Sequence, residues 1–407
     1  MALVKVEKLV QGAVLAEDVL DGNARLLLAK GQAVGDKQIR VLKMWGIFEV
    51  EVEGAEAAAE TEGSEADSEQ MAAVGAQIHK VFGTVDLEHP AVREVVRLSI
   101  HYRLSHFQAD KGTSAPPATP GPPPERLTEI GAKLERIDVK LPEVPSLVFE
   151  LNEIIADPMS SSGSIAQVVN KSPSLAATLL RIVNSAFYGF RSKIDSISRA
   201  VTLIGSKEIS NLALGITIME TFRGIPKEIM DVASFLEHNL ACGVVARILA
   251  AHCNMAHTEQ LFVSGMLHDI GRLILCNYFP EVFKYTLAEA ESSGRPLLKT
   301  EQSVLGCSHA HLGKKLLNKW KLPLALENNV NYHHQPSASP CPETASILQM
   351  ADMIVHGMGV GVSGERIVPG FDTKTWERVN LPGGAMRSLV KQAEHQIETF
   401  RDLLRKG

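Results

Sequence analysis

Residues 265–275 read GMLHDIGRLIL, apolar or glycine at every position except the vicinal pair His268-Asp269 and the cation Arg272. Apolar residues three and four apart predict a helix with a buried face. A neutral imidazole beside a carboxylate on that helix is a donor mix suited to a divalent transition metal. A second carboxylate, Asp352 in LQMADMIV, is also flanked by apolar residues. Burying such a group is costly unless it is paired or bound to a cation. A metal would meet that need, and so would Arg272, one turn beyond His268 on the same face.

The helical spacing runs from residue 125 to about 400 with no strand pattern interrupting it, which predicts an all-α domain over residues 125–358. Ser164 is a candidate cap for SIAQVV, Ser172-Pro173 places proline at a helix N1 position, and Gly205 separates VTLIG from KEISNLALGITIMETF. His238, His268, Asp269, His309, His333, His334 and Asp352 all fall on predicted helices or at their ends. Bundle metal sites are built this way, with each helix supplying a side chain at fixed depth. One histidine among fourteen would mean little, so the ordered set carries the signal. His252, His257, His311, His356 and His395 fit no ligand spacing and read as surface or helix-end residues.

Toward the N-terminus the pattern changes. Residues 1–53 alternate short apolar runs with turns and a helical QIRVLKMWG, which predicts a small α+β unit of two or three strands and one helix. Residues 54–70 are acidic, two short helices follow to residue 108, and DKGTSAPPATPGPPP within the 109–124 stretch reads as a Pro-rich spacer and domain boundary. Residues 359–383, rich in glycine and proline, predict a surface loop before a final helix that closes the 359–407 segment.

A formal charge of -6 in 407 residues argues against general nucleic-acid binding, and 45% hydrophobic content with only 5% aromatics favours aliphatic helix packing. The five cysteines are an odd number without a CxxC, as expected of reduced cytosolic thiols. No apolar run is expected to approach the roughly 18 residues that span a bilayer, so a cytoplasmic protein with no membrane partner is expected. No GxGxxG after a strand, no GxxxxGK[ST] and no GxSxG occurs. No heptad run supports a coiled coil, although a homodimer is compatible with the pattern.

Residues 135–358 resemble an HDOD domain, the HD-related output domain of bacterial signalling proteins. The motifs, in that family's order, are LPEVP (141–145), KSPSLAATLLRIVNSAFYG (171–189), IGSKEIS (204–210), GMLHDIGRL (265–273), GCSHAHLGKKLLNKW (306–320) and LPLALENNVNYHHQP (322–336). The 9–53 segment is similar to the small domain that precedes many such proteins, which implies a sensory or docking role. The resemblance implies an all-α HD-type fold and a non-catalytic output module that acts on signalling proteins or a nucleotide. The catalytic relatives, the HD-GYP enzymes, hydrolyse cyclic di-GMP at a centre of two or three metals. On their pattern the seven residues above match ligand positions for iron, manganese or zinc, one or two ions, with Asp269 bridging and Arg272 able to hold a phosphodiester. The sequence departs from them in three places. QPSASPCPET follows His333-His334 where Gly-Tyr-Pro is expected, Arg272 replaces a lysine, and Ser234 stands where a glutamate would add a ligand.

Overall fold

The structure, a computed structural model, describes residues 2–6, 9, 12–20, 26–35, 38, 39, 42, 49–52, 65–106, 123, 124, 134, 145–157, 160–185, 188–190, 192–222, 224–381 and 385–405. Two compact units result, residues 1–72 with 382–388 and residues 73–381 with 389–407.

Among the described residues the first unit holds six short strands in antiparallel pairs. β1 (Ala2–Lys5) pairs with β6 (Glu49–Val52), β2 (Ala13–Val14) with β5 (Ala33–Val34), and β3 (Val19–Leu20) with β4 (Leu26–Leu28). In β6 the sequence EVEV alternates, so Val50 and Val52 point inward with Val4, Leu15, Val34 and Leu42. The strands are more numerous than the two or three expected, because each turn clips a run to a few residues. Most of the expected helix over QIRVLKMWG lies outside the described residues.

The helical part of the chain follows, and all of it but residues 65–72 and 385–388 belongs to the second unit. α1 (Glu65–Val81) and α2 (Pro90–Ser105) precede α3 (Ser146–Ala156), α4 (Ser162–Asn170), α5 (Pro173–Val183), α6 (Ile197–Ile204) and α7 (Ser206–Glu220). Then come α8 (Val232–His252), α9 (Thr258–Leu267), α10 (Ile270–Tyr278), α11 (Pro280–Ser293), α12 (Leu297–Leu305) and α13 (His309–Lys319). α14 (Leu324–Tyr332), α15 (Pro342–Met358), α16 (Thr373–Val379) and α17 (Ala385–Arg405) complete it. The all-α expectation with a small strand unit is therefore met.

Local chemistry sets the boundaries. Ser172 caps α5 with Pro173 at N1, as expected. α4 is capped by Ser161 rather than Ser164, which is the N3 partner in a reciprocal capping box. Gly205, at φ +114°, ends α6 and starts α7. At the end of α5, Asn184 donates to the Leu180 and Ile194 carbonyls and accepts from Ile194 N, each at 2.7 Å.

Three expectations need correction. First, α8 is long and apolar enough, by length and composition alone, to cross a membrane; it is a core helix with most of that stretch buried inside the protein. Its apolar residues fall on every face because it is packed on several sides. Second, the helices before the Pro-rich stretch pack with the helical unit. Arg103 of α2 donates to the carbonyls of His356 and Gly357, and Val368 N donates to Val81 O. The compact units divide at Ala72, whereas the spacer lies almost wholly outside the described residues. Third, residues 359–381 are not simply a surface loop: Val360, Ser363 and Val368 are buried, and α16 lies within them.

Candidate metal centre

His238 and Cys242 stand one turn apart on α8, and His268-Asp269 lies opposite them. The pair does not sit inside one helix, as its apolar setting predicted. α9 ends at Leu267 and α10 begins at Ile270, so His268 and Asp269 occupy the corner between them. Close approach makes the corner reach α8. A Cβ on Gly265 would fall 2.7 Å from Gly243 Cα, so only paired glycines permit this crossing. A Cβ on Gly271 would lie 1.9 Å from the His309 carbonyl oxygen, which sets α10 directly against the start of α13.

The structure brings all seven predicted residues together. One group comprises His238, Cys242, His268 and Asp352; the other comprises Asp269, His309, His333 and His334, and in each the donor atoms lie within 4.8 Å of one another. Asp352 Oδ1 is 3.3 Å from His238 Nε2 and 3.6 Å from His268 Nε2. Asp269 Oδ1 is 3.1 Å from His309 Nε2 and 4.0 Å from His333 Nε2, and His309 Nε2 is 3.0 Å from His334 Nε2.

The far side of four rings is anchored. Nδ1 of His268 donates to Gly265 O and Nδ1 of His333 to Val330 O, both at 2.7 Å; Nδ1 of His309 meets Glu301 Oε2 at 2.6 Å; Nδ1 of His238 faces Val360 O at 3.4 Å. Metal-binding histidines characteristically spend their second nitrogen in this way, which aims Nε2 at the ion. His268 Nε2, Asp269 Oδ1 and His333 Nε2 are buried atoms that no hydrogen bond among the described residues reaches. Unmet polar atoms converging from separate elements are what a cation would satisfy, so the residues fit a metal. An ion bound there would polarise a phosphoryl oxygen or lower the pKa of a bound water.

Arg272 fits the other alternative at the same time. Its Nη1 donates to Asp269 Oδ2 at 2.5 Å and to Ser363 Oγ at 2.6 Å, and Nε lies 3.7 Å from Glu301 Oε1. The guanidinium is fully buried.

Electrostatics follow from this packing. Burial would raise the Asp269 pKa, but Arg272, His268 and His309 outweigh it and hold the carboxyl well below its usual range. The same contest at Asp352 is decided by His356, His238 and His268, again well below. Burial would lower His268, yet the Asp269 and Asp352 carboxylates raise it to about 10. His333 falls to about 3 through burial and the neighbouring His268 and His309. Burial, reinforced by Asp352 and Asp269, pushes the Cys242 thiol well above its ordinary value.

Four residues of the centre escaped the sequence reading. His356, expected as a surface or helix-end residue, lies in the last turn of α15 but is buried, with Nδ1 2.9 Å from Asp352 Oδ1; its i+4 spacing from Asp352 was the available signal. Glu301 is fully buried and accepts from both His309 N and Nδ1. Cys242 lies one turn after His238, with Sγ 3.6 Å from its Nε2. Ser363 reaches Arg272 across 91 residues of sequence, which no local pattern signals. Ser234, in the first turn of α8, contributes its carbonyl to Val362 N.

Residues 141–336 match the family model of the HDOD domain. The chain carries an HDOD domain. Over 221 residues it is 27% identical to an uncharacterized protein of Treponema pallidum (strain Nichols), covering 53% of this chain but 42% of that protein, so it spans less than half of the relative's length. A crystal structure of an HDOD domain protein of unknown function from Geobacter sulfurreducens superposes with a TM-score of 0.56 at 20% identity, over 67% of this chain and 98% of that one. A candidate phosphohydrolase of Shewanella amazonensis SB2B gives 0.52 at 23% identity, over 67% and 97%. A candidate signal transduction protein of Marinobacter aquaeolei VT8 gives 0.52 at 20% identity, over 79% and 68%. At these identities the likenesses establish the HDOD fold.

Proposed function

We propose that this protein is a signal-transduction module whose HDOD domain holds a metal and works by binding a signalling protein, with phosphodiester turnover suppressed. The N-terminal unit then serves as its sensor or docking part. The observation that carries this reading is the Arg272 guanidinium on Asp269 Oδ2. A carboxylate that bridges two metals needs both oxygens, and arginine does not give up its proton to free one. Access supports the same reading. His238, His268, Asp269, His309 and His333 are each at most 1% exposed. The segment after α15 crosses the centre through Val360 O on His238 and Ser363 on Arg272.

A phosphodiesterase acting on cyclic di-GMP or a related nucleotide is the second reading, favoured by the complete group of Asp269, His309, His333 and His334. Full-length protein, purified without chelator, separates the two. Bound iron, manganese or zinc, together with no hydrolysis of cyclic di-GMP or bis(p-nitrophenyl) phosphate above a protein-free control, is the expected result. Hydrolysis that disappears in Asp269→Asn would reject the binding-module reading in favour of the enzyme.

A further inference from the structure

We propose that Cys242 is a metal ligand, so that His238, Cys242, His268 and Asp352 form a four-coordinate thiolate site for a zinc-class ion. This rests on the reading that the centre holds a metal, and it goes further by naming an additional donor and the ion it selects.

Geometry carries it. A tetrahedral ion with bonds of about 2.0 Å to nitrogen or oxygen and about 2.3 Å to sulfur sets its ligands about 3.3 Å apart, or about 3.6 Å where one is sulfur. Four of the six donor separations stand near those edges, and all six lie within 4.8 Å. His238 Nε2 to Asp352 Oδ1 is 3.3 Å, His268 Nε2 to Asp352 Oδ1 is 3.6 Å, Cys242 Sγ to His238 Nε2 is 3.6 Å, and Cys242 Sγ to Asp352 Oδ1 is 3.8 Å. His238 and Cys242, four residues apart on α8, present their donors from one helix face. Independently of the cysteine, His268 Nε2 is aimed into the same space, buried and without a hydrogen bond among the described residues.

Charge explains why a thiolate belongs there. Asp269 is committed to Arg272, which cancels much of the negative charge it would bring to a metal beside His268. A thiolate from Cys242 and a carboxylate from Asp352 together neutralise a divalent ion, with His238 and His268 neutral, and a buried site of no net charge avoids a large desolvation cost. Ion binding takes the Cys242 thiol proton and the Nε2 proton of His268, both of which leave to solvent as the sulfur–metal and nitrogen–metal bonds form. Sulfur donation disfavours magnesium, calcium and manganese relative to zinc or its analogue cobalt.

The test uses the full chain, stripped with chelator and reloaded anaerobically with Co2+. A near-ultraviolet thiolate-to-cobalt charge-transfer band is expected, lost in Cys242→Ser and retained in Cys276→Ser, which removes another buried thiol. Cobalt bound without that band, or a band that survives Cys242→Ser, overturns the ligand assignment and leaves the metal-centre reading standing. No cobalt or zinc bound by the unmodified protein overturns the metal-centre reading itself. Should Cys242→Ser fail to fold, X-ray absorption of the zinc-loaded natural protein decides: a sulfur shell at about 2.3 Å supports the assignment and a purely nitrogen and oxygen shell rejects it.

Discussion

His238, Cys242, His268 and Asp352 make one side of the centre, and Asp269, His309, His333 and His334 make the other. Each side turns on one buried carboxylate, and the two carboxylates keep different company. Asp352 faces imidazoles from His238, His268 and His356, all groups that can release a proton to solvent when an ion arrives. Asp269 is held by a guanidinium that cannot, and that guanidinium is locked in place by Ser363. The centre thus divides into a side whose carboxylate is met by imidazoles alone and a side whose carboxylate is held by a permanent internal cation.

Substitution of Arg272 is expected to strain that contrast most. Arg272→Ala leaves Asp269 and Glu301 buried without their cation, and removing one partner of such a pair costs about 3–5 kcal/mol. Urea unfolding of metal-free protein should show the loss, and saturating Zn2+ should recover part of it by supplying positive charge to the same carboxylates. Equal losses with and without zinc would show that Arg272 and the metal do not share Asp269.

A smaller and more selective effect is expected at Glu301, which positions His309 through Nδ1. Glu301→Gln keeps an acceptor but removes its charge, and changes in outer-shell partners typically weaken metal binding by about 10–100-fold. Calorimetric titration with Co2+ should place that loss on the His309 side while the Cys242 thiolate band persists. Parallel loss of the band would mean that the two sides act as one.

The smallest effect is expected outside the centre. Tyr188 OH donates to Glu259 Oε2 at 3.1 Å, and Arg247 Nε holds the other oxygen at 2.6 Å. Tyr188→Phe should cost about 1 kcal/mol in urea unfolding with metal content unchanged. Altered metal content would show that this cluster couples to the centre and would blur the line drawn around it.

Much of the architecture was legible because it is written locally. Three-and-four spacing of aliphatic residues marked the helices, Ser172-Pro173 and Gly205 marked their ends, and His268-Asp269 between apolar flanks marked a polar pair that had to be met inside the core. The same local logic failed where packing decided. The apolar run through His268-Asp269 looked continuous, yet the chain turns a corner there, because α10 must leave α9 to lie against α13. His356 looked like a helix-end residue until Asp352, Arg103 and the segment after α15 closed around that end of the helix.

By itself, the sequence determined the helical class, the small strand unit before it, and the order of imidazoles and carboxylates able to meet a cation, because periodicity and residue chemistry are properties of neighbours along the chain. Only the tertiary structure decided which donors share a site, that Arg272 occupies one face of Asp269, that Glu301 and Ser363 fasten His309 and Arg272, and that Cys242 stands at ligand distance from His238. Those relations depend on helix crossings and on contacts between residues distant in sequence, 110 positions for Cys242 and Asp352 and 122 for His238 and Val360, and no local pattern encodes a distance across the core.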